Sequence, residues 1–322
     1  MVSARLFLLT ALKASCGPAL QASGELHISQ SKDRVLTTLK VAKSDPVPVV
    51  FDTSTSDNIL DLKLAAKLGL TRVGPSTAID GSLGKPIAGF LTELKGACLG
   101  NLAIDDGPAN AVDYELPNEK GVFGPNCFLG KLVQMDLGIG SIVVMPKTTT
   151  NLPPGAGIPY IGQGDDALPS VIVDFGDRQI AAELDTGNNA TLLFPLSFTN
   201  QLSLEDTPKR VGVAGSVAGQ QPLFRARLKG ALKIGPLTLD RPVIMFIAVG
   251  GQPNVGLPIA RQLVVVFDPS ARRSWLVASR PLPKLSLPVM LIALVFGAIT
   301  AGILIRWKLR NDSEKTSPPA LT

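Results

Sequence analysis

The chain has 322 residues, of which 45% are hydrophobic and 18% are charged, and it contains 31 Gly and 26 Pro. This composition excludes a disordered, collagen-like or coiled-coil protein, and the length predicts two compact domains with tails. The single histidine, His27, excludes a His-rich zinc site, so we expect no metal, no cofactor, and chemistry carried by carboxylates. The net charge of +5 is not gathered into a basic stripe with interleaved aromatics, which argues against a nucleic-acid partner.

The N-terminal segment has the pattern of a secretory signal peptide. Arg5 precedes the apolar run 6–12, and small residues continue to Ala22, although Lys13 interrupts the pattern. We therefore predict a signal peptide over residues 1–23. After its removal, Cys98 and Cys127 remain, which permits one disulfide without requiring it.

Two long segments, 24–150 and 167–280, share one local pattern. Short apolar runs rich in Val, Ile and Leu are separated by Gly, Pro, Asn and Asp about every ten residues, which predicts a mostly β protein with two lobes. The Pro/Gly-rich segment 151–166 between them predicts a linker. Short helices are expected near residues 61–68, 126–132, 196–202 and 259–263.

The C-terminal segment has the pattern of a membrane anchor. Residues 285–305 form a run of 21 residues without a charge, long enough for a helix to cross a hydrocarbon core of about 30 Å. Arg306, Trp307 and Lys308 follow at once, which places the tail, 306–322, in the cytoplasm by the positive-inside rule. The lobes would then lie outside the cytoplasm, in a periplasmic, extracellular or lumenal compartment. A buried helix of a soluble core is the alternative, and core helices seldom stay uncharged for this length.

The two lobes repeat the same landmarks at nearly the same spacing. Asp52, in the run Val49 to Thr55, lies 72 residues before Gly124, and Asp185, followed by Thr and Gly, lies 71 residues before Gly256. Further landmarks recur in one order: a Gly-Ser pair at 81–82 and 215–216, the sequence LKGA at 94–97 and 228–231, and a strand-closing Asp at 136 and 268. A common order at a period of about 133 residues indicates a tandem duplication of one domain.

A strand ending in Asp-Thr-Gly, a later hairpin, and two apolar residues before a Gly, all repeated, resemble the bilobal pepsin-like aspartic peptidases and their single-lobed retroviral relatives. The likeness covers roughly residues 36–279. It implies two β-barrel-like lobes related by a pseudo-two-fold axis in one monomeric chain. Each lobe would contribute one catalytic aspartate to the interface between them.

The resemblance also implies roles for individual residues. Asp52 and Asp185 would form the catalytic dyad. Thr53 and Thr186 would interlock beneath it through hydroxyl-to-backbone hydrogen bonds, and the remaining supporting residues would be Ser54, Thr55 and Gly187. The hairpin turn 80–89, beginning with Asp80, Gly81 and Ser82, would be the flap that contacts substrate.

Three features depart from the family pattern. Ser54 stands where Gly is expected, and Asn188 stands where Ser or Thr usually supports the dyad. The flap segment 79–89 contains no Tyr, which is closer to the retroviral pattern. These departures leave the support of the dyad as a question for the structure.

The sequence thus predicts a membrane-anchored aspartic endopeptidase that hydrolyses peptide or protein substrates. Two carboxyls held close together share a proton, so that one acts as a base towards water while the other acts as an acid. The alternative is an inactive module with the same fold that binds peptides or a partner protein. In that case the Asp-Thr turns would only satisfy local backbone donors.

Overall fold

The computed structural model describes residues 22–114, 118–216, 219–249 and 251–279. The predicted anchor 285–305, the tail 306–322 and nearly all of the predicted signal peptide lie outside these ranges. Within them, no helix has both the length and the hydropathy needed to cross a bilayer. The described chain is mostly β, as predicted.

Most of the longer strands of the described chain coincide with apolar runs. In the first half they are β1 (Gly24–Glu25), β2 (Ser29–Gln30), β3 (Val35–Val41), β4 (Val47–Phe51), β5 (Ile59–Asp61), β6 (Gly74–Pro75), β7 (Ile79–Asp80), β8 (Lys85–Pro86), β9 (Gly89–Leu94), β10 (Ala97–Leu99), β11 (Leu102–Ala103), β12 (Gly107–Val112), β13 (Gly121–Phe123), β14 (Lys131–Asp136) and β15 (Ser141–Pro146). They continue as β16 (Ile158–Pro159), β17 (Ser170–Asp174), β18 (Gln179–Asp185), β19 (Leu192–Pro195), β20 (Lys209–Ser216), β21 (Gly219–Arg227), β22 (Ala231–Ile234), β23 (Leu237–Asp240), β24 (Val243–Ile247), β25 (Asn254–Gly256), β26 (Leu263–Asp268) and β27 (Arg273–Ser279).

The helices are short and lie close to the predicted positions. They are α1 (Leu62–Lys67), α2 (Leu257–Ala260) and the 3-10 turns Pro125–Cys127, Gly164–Asp166 and Leu196–Gln201. Asp61 caps α1, because its carboxylate accepts a hydrogen bond of 2.9 Å from the backbone N–H of Leu64. The helix expected over 126–132 is wrong beyond Cys127, because residues from Lys131 onward form β14 instead.

Two large sheets have the same strand order, so the duplication seen in the sequence is also present in the topology. Among the described residues, the first sheet runs β11-β10-β3-β4-β13-β5-β12-β9-β6, with β2 added beside β3. The second sheet runs β23-β22-β17-β18-β25-β19-β24-β21-β20. Each strand of one order corresponds to the strand at the same place in the other.

A third sheet takes strands from both halves and joins them. Its order is β1-β15-β14-β26-β27-β16, and the two halves meet where β14 pairs with β26 in antiparallel register. Asp136 and Asp268, the strand-closing residues of the duplicated pattern, lie at the ends of these two strands. The linker contributes only the edge strand β16, which is where a proline is tolerated in a sheet.

The core is continuous across both halves, and the contacts place them in one compact unit. Phe51, Phe123, Phe194 and Phe246 are fully buried in it. Burying one such side chain contributes about 1.5–3 kcal/mol. Trp275 packs beneath the linker, where its indole N–H donates to the carbonyl of Gly155 at 3.1 Å.

Candidate active site

Equivalent buried strands bring the two predicted aspartates to equivalent turns. Asp52 follows β4, which runs parallel to β13, and Asp185 ends β18, which runs parallel to β25. Gly124, which follows β13, and Gly256, which ends β25, leave no room for a side chain. A Cβ at Gly124 would lie 2.3 Å from the carbonyl oxygen of Asp52, and a Cβ at Gly256 would lie 2.0 Å from that of Ala190.

Thr53 and Thr186 lock the two turns together by reciprocal hydrogen bonds. The backbone N–H of Thr53 donates to Thr186 Oγ1 at 3.0 Å, and the N–H of Thr186 donates to Thr53 Oγ1 at 3.2 Å. Each hydroxyl then donates to a carbonyl of the other half, Thr53 to Leu184 at 2.5 Å and Thr186 to Phe51 at 3.0 Å. Because both side chains are fully buried, these bonds hold the aspartates at a fixed separation.

The carboxyl groups of Asp52 and Asp185 lie side by side at the junction of the halves, where the charge of Asp185 affects the pKa of Asp52. The backbone N–H of Gly187 lies between them and donates to Asp185 Oδ1 at 2.8 Å and to Asp52 Oδ1 at 3.3 Å. A Cβ on Gly187 would lie 2.3 Å from Asp52 Oδ2, so a glycine is required for this close approach. The predicted pair therefore lies together, with Gly187 where the pattern placed it.

Burial and mutual repulsion make this pair hold a proton at neutral pH. Burial, and then the charge of Asp185, raises the pKa of Asp52 to about 8. Burial also raises the pKa of Asp185, but hydrogen bonds from Asn254 and Gly187 act in the opposite direction. One protonated and one ionised carboxyl side by side can act as an acid and a base at once.

Asn188 and Asn254 supply a side-chain donor to Asp185. Asn188 Nδ2 donates to Asn254 Oδ1 at 2.7 Å, and Asn254 Nδ2 donates to Asp185 Oδ2 at 2.5 Å. The support that the sequence left in question at Asn188 is therefore provided indirectly, through a second asparagine.

Ser54 supports the dyad through its backbone and reaches a third carboxyl through its side chain. Its N–H donates to Asp52 Oδ1 at 2.8 Å, and its hydroxyl donates to Glu183 Oε2 of the other half at 3.3 Å. Burial, and then the charge of Asp185, raises the pKa of Glu183 to about 7. The serine at the usual glycine position is therefore accommodated, and it adds a contact between the halves.

Thr55 differs from the expectation. Its hydroxyl donates to the carbonyl oxygen of Asp57 at 2.6 Å, so its hydrogen bond stabilises the following turn rather than the carboxyls. Its methyl group lies beside Gly124, where an added Cβ would be only 2.9 Å away.

The predicted flap residues form the turn of a separate two-stranded hairpin, β7–β8. Asp80 Oδ1 accepts hydrogen bonds from the N–H of Ser82 at 3.1 Å, from its hydroxyl at 2.8 Å and from the N–H of Leu83 at 2.9 Å. Asp80 is buried, so its carboxylate shapes the turn, whereas Gly81 faces open space. The carbonyl of Ser82 accepts a bond of 2.7 Å from Gln221 Nε2, which ties the hairpin to the second half.

Sequence reasoning missed Glu183, Asn254 and Gln221. A position-by-position comparison of the halves could have found the first two. Glu183 occupies the place of Val50 and Asn254 that of Val122, so each is polar in one half only.

The other sequence-derived chemistry does not add to the site. Cys98 and Cys127 are buried and are not joined in a disulfide. In the described ranges, no group of three or more His, Cys, Asp or Glu side chains could hold a metal ion. No protein-family model matches this chain, and no curated protein matches it.

Proposed function

We propose that the protein is an aspartic endopeptidase whose catalytic pair is Asp52 and Asp185. The observation that carries the proposal is that one backbone N–H, that of Gly187, donates to both carboxyls at the junction of two equivalent turns. A structural Asp-Thr turn would need only local donors, whereas these turns place two acidic groups against each other at the cost of raised pKa values. Charge arrangements of this kind are typical of catalytic sites.

The proposed mechanism uses water as the nucleophile. The ionised carboxylate removes a proton from a water molecule while the water oxygen attacks the carbonyl carbon of the peptide bond. The protonated carboxyl donates its proton to the carbonyl oxygen, giving a neutral gem-diol. The carboxyl that took the proton from water then donates it to the leaving nitrogen, while the other carboxylate takes a proton from the gem-diol. The C–N bond breaks to give an amine and a carboxylic acid, and each such transfer contributes about 10² to 10⁴ in rate.

The arrangement of strands supports a bilobal enzyme of the pepsin-like type. Equal strand order in two sheets supports lobes related by a pseudo-two-fold axis, with the dyad at the junction. We infer that the β7–β8 hairpin, with Gly81 and Ser82, is the flap and that an extended substrate chain binds beneath it as an added strand.

The N-terminal and C-terminal segments support a membrane-anchored location for this enzyme. We infer that a signal peptide over 1–23 directs export, that 285–305 anchors the chain, and that the lobes act outside the cytoplasm as a monomer.

Cleavage of a mixed peptide library by the full chain, across pH 3 to 9, tests the proposal. The parent should cleave, and Asp52→Asn and Asp185→Asn should each reduce the rate by a factor of at least about 10³, because each removes a proton-transfer group. Asp240→Asn, an exposed acid on β23, is the matched control and should cleave like the parent. Peptide binding without cleavage by the parent would support the inactive module instead.

A further inference from the structure

The direction of the hydrogen bonds that lead to Asp185 is fixed by a backbone group. The N–H of Ala190 can only donate, and it donates to Asn188 Oδ1 at 2.9 Å. The amide nitrogen of Asn188 must then face Asn254 Oδ1, and Asn254 must present its own Nδ2 to Asp185 Oδ2. The orientation of both amides therefore follows from one N–H group that cannot be reversed.

The two aspartates receive these donors unequally. Asp185 accepts on both oxygens, from Gly187 on Oδ1 and from Asn254 on Oδ2. The N–H groups of Ser54 and Gly187 both reach Asp52 on Oδ1. A carboxylate that accepts on both oxygens is favoured in its ionised form, while Oδ2 of Asp52 is left to hold the shared proton.

We propose that Asn254, oriented by Asn188, is a positioning residue that makes Asp185 the ionised member of the pair and Asp52 the protonated member. This assignment deepens the proposed function, on which its catalytic meaning rests. Asp185 would then be the base towards water, and Asp52 would be the acid towards the substrate carbonyl.

At the equivalent described positions of the first half this donor is missing, which is why the pair is unsymmetrical. Val122 stands at the place of Asn254, and the hydroxyl of Thr55, at the place of Asn188, is used by Asp57. Equivalent strands therefore place Asp52 and Asp185 at equivalent positions, but the hydrogen-bond donors around the two carboxyls differ.

Other titratable groups also face the pair. Glu183 lies on the same strand as Asp185 and accepts a hydrogen bond from the Ser54 hydroxyl, and Tyr114 lies close enough for the charge of Asp52 to affect its pKa. A charged Glu183 repels charge on Asp185, so it opposes the effect of Asn254. Glu183→Gln therefore belongs in the test, as the variant that separates the two influences.

Carboxyl ¹³C NMR of the full chain, labelled at the Asp side chains, measures the assignment without requiring activity. In Asp52→Asn, Asp185 is the only member of the pair that can titrate, and we call it isolated Asp185. Asp185→Asn gives isolated Asp52 in the same way. We expect isolated Asp185 to titrate at a lower pH than isolated Asp52. Adding Asn254→Val, the first-half residue, should raise the pKa of isolated Asp185 by about 1 to 2 units and leave that of isolated Asp52 unchanged.

Adding Glu183→Gln should lower the pKa of isolated Asp185. With Glu183→Gln in place, Asn254→Val should still raise that pKa, which shows that this shift does not come from Glu183. Asn188→Ala frees the Asn254 amide to turn and should give a smaller upward shift, so it serves if Asn254→Val fails to fold. Equal pKa values for the isolated aspartates, or no shift in either asparagine variant, would overturn the assignment. Failure of the proposed function would appear separately, as absence of cleavage by the parent.

Discussion

At the scale of single residues, the site depends on small side chains that let backbone groups and carboxyls of the two halves lie close together. Gly187 allows one backbone N–H to lie between two carboxyls, and the hydroxyls of Thr53 and Thr186 each join two backbone groups across the halves. A larger or apolar side chain at these places would separate the carboxyls or leave buried donors unpaired. Small changes in the turns should therefore displace the carboxyls and reduce the activity that we propose.

Gly187→Ala tests this expectation. The new Cβ would lie 2.3 Å from Asp52 Oδ2, so the carboxyl must move. We expect kcat/KM for peptide cleavage to fall by about 10²-fold, because displacement of a catalytic group by about 1 Å has an effect of that size. Gly230→Ala, where an added Cβ meets nothing within 4 Å, is the control and should keep the parent's rate. Equal rates for the two variants would contradict the account.

The residue roles could be predicted from sequence at the repeated turns. The repeated spacing singled out Asp52 and Asp185, and the resemblance to aspartic peptidases implied the supporting roles of Thr53, Thr186 and Gly187. Neither could identify the contact between Ser54 and Glu183, or the pair Asn188 and Asn254. Ser54 and Glu183 are 129 positions apart in the chain, and Asn188 and Asn254 are 66 positions apart. No local pattern in the sequence specifies such neighbours.

At the scale of elements, the β7–β8 hairpin of the first half and the β20–β21 hairpin of the second half meet at Gln221. Its amide donates to the carbonyl of Ser82 at 2.7 Å, and its Oε1 accepts from the N–H of Val249 at 2.9 Å. Because Gln221 is buried, both bonds are shielded from water. The side chain therefore restrains the turn that we propose as the flap.

Removal of this restraint should make the hairpin open more often. In Gln221→Leu, we expect hydrogen exchange at the amides of Leu83 and Gly84 to become about tenfold faster, which corresponds to the loss of one hydrogen bond. Gln220→Leu, a change at the exposed neighbouring position, is the control. Unchanged exchange in Gln221→Leu would show that the contact does not restrain the turn.

The elements themselves were largely predictable, and their pairing was not. Short apolar runs between turn residues indicated the strands, and α1 lies within the range 61–68 where a short helix was expected. The antiparallel pairing of β14 with β26 joins residues about 130 positions apart, so it depends on the tertiary structure. The same limit explains why 126–132 was expected to be helical, since Lys131 onward forms β14, whose residues from Val133 pair with β26.

At the scale of the whole molecule, the raised pKa of Asp52 is a cost to stability at neutral pH. The folded protein keeps this proton until about pH 8, whereas the unfolded chain loses it near 3.8. Between these values the folded state binds more protons, so the contribution of Asp52 to the free energy of unfolding falls as the pH rises. The fold accepts this cost to hold two carboxyls together.

Asp52→Asn should therefore stabilise the protein, and most strongly at high pH. We expect its gain in Tm over the parent to grow steadily from pH 4 to pH 8, with Asp240→Asn showing no such trend. Differential scanning calorimetry at four pH values measures this gain. A gain that is constant with pH, or largest at pH 4, would contradict the raised pKa.

The most direct test of the shared proton is the pH dependence of kcat/KM for one cleaved peptide. Activity should rise as Asp185 loses its proton and fall again as the pH passes about 8, where Asp52 loses its own. The Glu183→Gln variant should show the same rise and the same fall of kcat/KM with pH, which assigns both changes to Asp52 and Asp185. A rate that climbs steadily through neutrality and stays high above pH 9 would contradict catalysis by one protonated and one ionised aspartate.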